Sequence, residues 1–272
     1  MSNAALAGLS DDLLFVTVLL YALSMLAFAG EQAARRSRQG TTAASDALLA
    51  RQAAAARTRV MAGGPQLPPP PVAPAVPTSR PSRAGQAGLL LAVVGAALHT
   101  GSLLTRGLAV DRVPWGNMYE FSSAVALSAV LIFLVMVFTG RVDRGLGAFV
   151  MLPAVLYLGL AGTVLYTAAG PLVPALDSYW IKIHVFAAIL STGAFLLSGV
   201  VALLYILRAR HDATVDAGRT PRFPLSMGAS LPAAPVLDRV SYAVIAFAFP
   251  IWTFAIIAGA IWAESAWGRY WG

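Results

Sequence analysis

The chain has 272 residues, 58% of them hydrophobic and 11% charged, with a formal net charge of +7. Soluble domains carry roughly 25% charged residues, so this composition excludes an ordinary soluble enzyme and describes a polytopic membrane protein, expected to be all-α from the apolar spans below. The chain has no cysteine, which excludes disulfides, thiolate metal sites and cysteine nucleophiles.

The N-terminal head, Met1 to Asp12, is short and polar. The apolar run Leu13–Gly30 is about the minimum length for a membrane-spanning helix. Asp11 and Asp12 precede it with no Lys or Arg, against a cleavable signal peptide, so a retained first helix with an outer N-terminus is expected. Residues 31–86 differ in kind. Arg35, Arg36 and Arg38 lead into an Ala-rich stretch, Ser45 to Val60, where helix is plausible. The prolines from Pro65 to Pro81 then favour extended backbone, and the segment is expected to be a largely disordered cytoplasmic linker.

The second span covers about Ala87–Arg106 and contains His99, with Ser102 and Arg106 on the same helix face. At that depth His99 is either a haem or metal ligand or one end of an interhelical hydrogen bond. In the segment that follows, Pro114 and Gly116 break helix and Asn117 can cap the next one. Glu120 falls in its first turn, where the helix dipole favours an acid. Trp115, Met118 and Tyr119 cluster at one membrane face, as a surface for a flat apolar ligand or as an aromatic belt.

The third span is about Phe121–Thr139 and the fourth about Leu146–Tyr166, with Pro153 expected to kink it. The fifth, about Ile181–Leu207, is preceded by Tyr179 and Trp180, whose rings suit the headgroup level. His184 lies about one turn below them. A neutral imidazole there can ligate haem iron, or it is an interfacial polar residue. Arg208–Leu237 reads as a polar loop with a solvated His211, and Val240–Trp262 as the sixth span. Beyond it, Trp262, Trp267 and Trp271 offer flat faces for a planar macrocycle, and Arg269 a partner for a carboxylate. All basic residues except Arg106, Arg112, Lys182 and Arg269 fall in alternate loops, which places those loops inside and both termini outside. The same placement explains the net charge by membrane orientation and gives no reason to expect a nucleic-acid partner.

Three segments carry a resemblance. They are Arg112-Val-Pro-Trp-Gly-Asn-Met-Tyr-Glu120, Ser178-Tyr-Trp-Ile-Lys-Ile-His-Val185, and Gly259-Ala-Ile-Trp-Ala-Glu-Ser-Ala-Trp-Gly-Arg-Tyr-Trp-Gly272. Together they resemble the CcsA/ResC cytochrome c biogenesis proteins, called CcsB in some lineages, of the haem-handling superfamily that includes CcmC and CcmF. The resemblance covers residues 86–272. It implies a haem-handling membrane domain over 87–272, after a first helix (1–30) and a linker (31–86). It implies haem b as substrate or transported ligand, with His184 as an external ligand of the haem iron. Around it, Trp115, Asn117, Glu120, Trp180, Trp262, Trp267, Arg269 and Trp271 are candidate haem-binding residues, and His99 a further one. It also implies a ResB/CcsB-type membrane partner, an apocytochrome c acceptor, and a bacterial plasma-membrane location with the working face extracytoplasmic. In the family the last segment runs on into the tryptophan-rich WWD core, whereas this sequence ends at Gly272. A small-molecule transporter or a non-enzymatic scaffold is the alternative, since broken helices also mark transport paths. Against it, the two halves show no repeat and almost no acid lies inside a span.

Overall fold

The computed structural model describes residues 1–61, 82–172 and 176–270. The proline-rich stretch 62–81 lies outside the described residues. Six helices follow in order: α1 (Asn3–Met61), α2 (Arg83–Ala109), α3 (Met118–Phe138), α4 (Gly147–Val164), α5 (Tyr179–Asp216) and α6 (Ala234–Trp267). Each contains a stretch long and apolar enough to cross a membrane, and no strand occurs among the described residues. The protein is a multi-pass, all-α membrane protein.

Helices α1 to α4 close a ring in which α1 packs on α2, α2 on α3, α3 on α4 and α4 back on α1. Helix α5 leans on α3 from outside the ring, and α6 packs on α5. The ring core is filled by Tyr21, Phe28, Phe133, Met151 and Leu158, all essentially buried. With lipid as apolar as leucine, contact between helices is driven by close packing and interhelical hydrogen bonds. The α5–α6 seam uses both: buried Ala187, Ala194, Ala248, Ala255 and Ala258 keep side chains short, and the Ser198 and Ser241 hydroxyls meet at 3.0 Å. The outer surface of α6 is apolar, with Phe247, Phe249, Phe254 and Ile257 exposed.

The end of the bundle at the α3–α4 turn is tied by charge. Glu31, 2% exposed, accepts from Arg35 and Arg144 at 3.2 Å each, and Arg35 also reaches Asp143 at 2.9 Å. Gln32 donates to the carbonyl of Gly145. These bonds clamp α1 onto the α3–α4 turn and continue the helix where a linker was expected. Residues 31–61 are helical, consistent with their Ala and Arg content.

Other boundaries also move outward. Helix α5 continues past Leu207 to Asp216, and α6 begins at Ala234, six residues before the apolar run. A short 3-10 turn, Leu225–Ser230, fills the gap. His211, expected to be solvated, is half-buried, with its Nδ1 3.1 Å from Asp212 and its side chain against Gly228. Arg208 explains why the segment folds back, since it donates to the carbonyls of Gly228 and Leu231.

Candidate haem-binding site

The α2–α3 loop, the α4–α5 loop and the ends of α1, α5 and α6 meet at one end of the bundle. The α2–α3 loop is built around the Glu120 carboxylate, which is fully buried. It accepts from Arg106 at 2.8 Å, from Arg112 at 2.8 and 3.0 Å, and from the Gly116 N–H at 2.8 Å. Asn117 caps α3 by accepting from the Glu120 N–H at 2.9 Å. A Cβ at Gly116 would lie 2.8 Å from Arg112 Nη1, so a side chain there would press that guanidinium away from the carboxylate. The two arginines reach further: Arg106 donates to the Thr167 carbonyl, and Arg112 to that of Gly170 at 3.0 Å. Arg106 also sits 3.5 Å from Asp11 on α1 and 4.7 Å above the Tyr119 ring. Tyr166 donates to Asp11 at 2.8 Å, and that bond raises its phenol pKa above the ordinary value.

A buried carboxylate with two guanidiniums and a backbone donor is satisfied within the protein. Glu120 therefore holds the loop together with its bonding capacity used inside the protein, and Asn117 spends its Oδ1 on the helix cap. What the loop presents is Trp115, whose ring centroid is 6.4 Å from that of Phe186 on α5. Trp115 lines a cavity of about 300 Å³ together with Leu172, Leu176, Ile181, Lys182 and Val185.

His184 faces the other way. Its Nδ1 is 2.7 Å from the carbonyl oxygen of Ala255 on α6. A carbonyl only accepts, so Nδ1 carries the proton, and Nε2 of the neutral ring keeps its lone pair. The ring is half-buried. On α6, Ala255, Gly259 and Trp262 follow one stripe at i, i+4 and i+7. Trp262 and Trp267 pack edge to face at 4.7 Å between centroids. An imidazole with Nδ1 bonded to a backbone carbonyl and Nε2 available is the arrangement of a haem axial ligand, and the neighbouring indoles suit a planar apolar group. The residues present fit haem.

The structure separates the remaining candidates. His99 is fully buried, with Nδ1 3.4 Å from the Tyr21 hydroxyl and Nε2 2.9 Å from Ser123. It ties α1, α2 and α3 together, so the interhelical alternative is the one observed. Trp115 and His184 lie on different faces of α5, because α3 and α6 pack on different sides of it. The single outer surface expected from their shared membrane side is thus two surfaces. Trp180 is half-buried beside Tyr179, with centroids 6.3 Å apart, and Arg269 is exposed past the left-handed cap Gly268. Trp271 lies outside the described residues. Among the described residues no group of three or more His, Cys, Asp or Glu gathers as a metal site.

Sequence reasoning missed the Arg106–Glu120–Arg112 assembly. Its signal was present as two arginines and one acid flanking a Pro-Gly loop, but their convergence depends on how that loop folds. It also missed Gly259 as the floor under His184.

The family model for cytochrome c assembly proteins matches residues 115–272. The chain belongs to that family. Cytochrome c biogenesis protein CcsA of Trieres chinensis is 27% identical over 209 residues, covering 68% of this chain and 67% of its own. That of Guillardia theta is 30% identical over 199 residues, covering 69% and 64%. That of Gloeobacter violaceus is 30% identical over 217 residues, covering 63% and 64%. The chain spans about half to two thirds of the length of the curated relatives it matches. In this assembly-family chain the matched region begins at Trp115 and takes in α3 to α6, so His184, Gly259, Trp262 and Trp267 all fall inside it.

Proposed function

We propose that this chain acts in cytochrome c biogenesis by holding haem b at the extracytoplasmic face, for covalent attachment to an apocytochrome c. The haem is cargo, and the acceptor supplies the thiols that form the thioether bonds. The chain's own residues bind and orient it: His184 gives one axial nitrogen, Trp262 and Trp267 give an apolar wall, and Arg269 gives a cation for a propionate. Residues 87–272 form the haem-handling domain, and a ResB/CcsB-type membrane protein is the partner. The location is a bacterial plasma membrane. The observation that supports this reading is the 2.7 Å bond from His184 Nδ1 to the Ala255 carbonyl, which leaves Nε2 without a share in that bond.

The test is the variant His184→Gly, purified in detergent and titrated with hemin. Its haem affinity should fall and added imidazole should partly restore it, because free imidazole occupies the vacated position. Unchanged hemin binding by the glycine variant without imidazole would remove His184 from the site.

A further inference from the structure

We propose that Gly259 is the positioning residue for the His184 ligand: by lacking a Cβ it lets the imidazole seat on the Ala255 carbonyl, and so determines which ring nitrogen is offered to iron. The assignment rests on the ligation reading above and adds the device that orients the ligand.

The geometry is local. In the helix α6 the Ala255 carbonyl faces the amide of residue 259, four positions on. A carbonyl oxygen has two lone pairs, so it can also accept from His184 Nδ1–H, at 2.7 Å. To reach it, the ring must pass over the backbone at position 259. A Cβ there would stand 2.7 Å from Nδ1, 2.8 Å from Cε1 and 3.3 Å from Cγ. The atoms in the way belong to a planar ring packed between two helices. They are not the free end of a flexible side chain, so the ring can escape only by leaving the carbonyl. Leaving it frees Nδ1, and the ring is then no longer restricted to presenting Nε2.

The stripe itself is closely packed, with Ala255 2% exposed and Ala258 fully buried. Glycine weakens a helix interior relative to alanine. A residue kept only for helix stability would therefore be improved by alanine, whereas one kept for seam packing would be harmed by alanine whether or not the His184 ring is present.

The experiment is a cycle of four proteins in detergent: the full chain, Gly259→Ala, His184→Gly, and the double variant, each titrated with hemin. The visible absorption and the haem reduction potential are recorded alongside thermal stability. Gly259→Ala should bind hemin about tenfold or more weakly, the range seen when a ligand's outer-shell support is lost, with an altered spectrum and potential. With imidazole present, His184→Gly and the double variant should bind hemin equally, because alanine at 259 has no ring left to displace. The double variant should be no less thermally stable than His184→Gly. If Gly259→Ala binds hemin with the spectrum and affinity of the full chain, the assignment is overturned. A double variant that binds worse than His184→Gly in imidazole overturns it too, since position 259 would then act through the α5–α6 seam. If His184→Gly with Gly259 intact binds as the full chain does, the ligation reading fails and takes this assignment with it, and that arm is separate from the other two.

Discussion

Arg112 and Glu120 are joined by two hydrogen bonds, of 2.8 and 3.0 Å, across the loop that presents Trp115. Because Glu120 is fully buried and also binds Arg106, removing the carboxylate strands two guanidiniums. Breaking a buried pair from one side costs about 3–5 kcal/mol. Glu120→Ala should therefore lower thermal stability in detergent strongly and expose the 165–172 segment to protease. A stability loss as small as that of an exposed surface substitution would contradict the bracing role.

The cap on α3 is a smaller term and should separate cleanly from the pair. Asn117→Ala removes only the acceptor for the Glu120 N–H. It should cost about 1 kcal/mol, and Asn117→Asp should retain most of the stability. Chemical denaturation of the purified chain would show the order Glu120→Ala, then Asn117→Ala, then Asn117→Asp.

His99 should matter to folding and leave haem alone. Replacing it with leucine strands the hydroxyls of Tyr21 and Ser123 inside the ring, at about 1–3 kcal/mol for each buried group left without a partner. Haem bound per folded protein should stay the same. A selective loss of haem at unchanged stability would return His99 to the ligand set.

Helices α3 and α5 approach closely at Gly193, where a Cβ would lie 2.7 Å from Ser128 Oγ and 2.9 Å from the Ala129 amide nitrogen. Backbone cannot yield as a side chain does, so Gly193→Val should force α5 away from α3. A loss of roughly 1–3 kcal/mol is expected, the usual range for overpacking. Thermal denaturation should show it, with Gly193→Ala intermediate.

The orientation expected from the arginines is open to a clean labelling experiment, since the chain has no cysteine. A single cysteine at Asp177, which is exposed before α5, should react with an impermeant maleimide in intact cells. One at Ser45, exposed where α1 runs past its apolar stretch, should react only after permeabilisation. The reverse pattern would invert the topology.

By itself the sequence determined the membrane class and the number of spans, and it set the expectation that His184 and the tryptophans share one side. Those properties depend on summed hydropathy and on where arginines fall between apolar runs, both additive along the chain. It also determined the Asn117 cap, because a cap is made within three residues of itself. Helix ends were less legible: α1 and α5 run past their apolar stretches because polar contacts beyond those stretches hold the extra turns. Only the tertiary structure decided the roles of the polar groups. His99 lies deep in a span and His184 below two boundary aromatics, but neither setting says which of its nitrogens is bonded. One is enclosed by three helices with both nitrogens bonded, and the other has a single nitrogen fixed by a carbonyl 71 residues away. The same holds for Gly259, whose missing side chain has meaning only against the imidazole that fills its place, and for Trp115, which helix packing sets on a different face of α5 from His184.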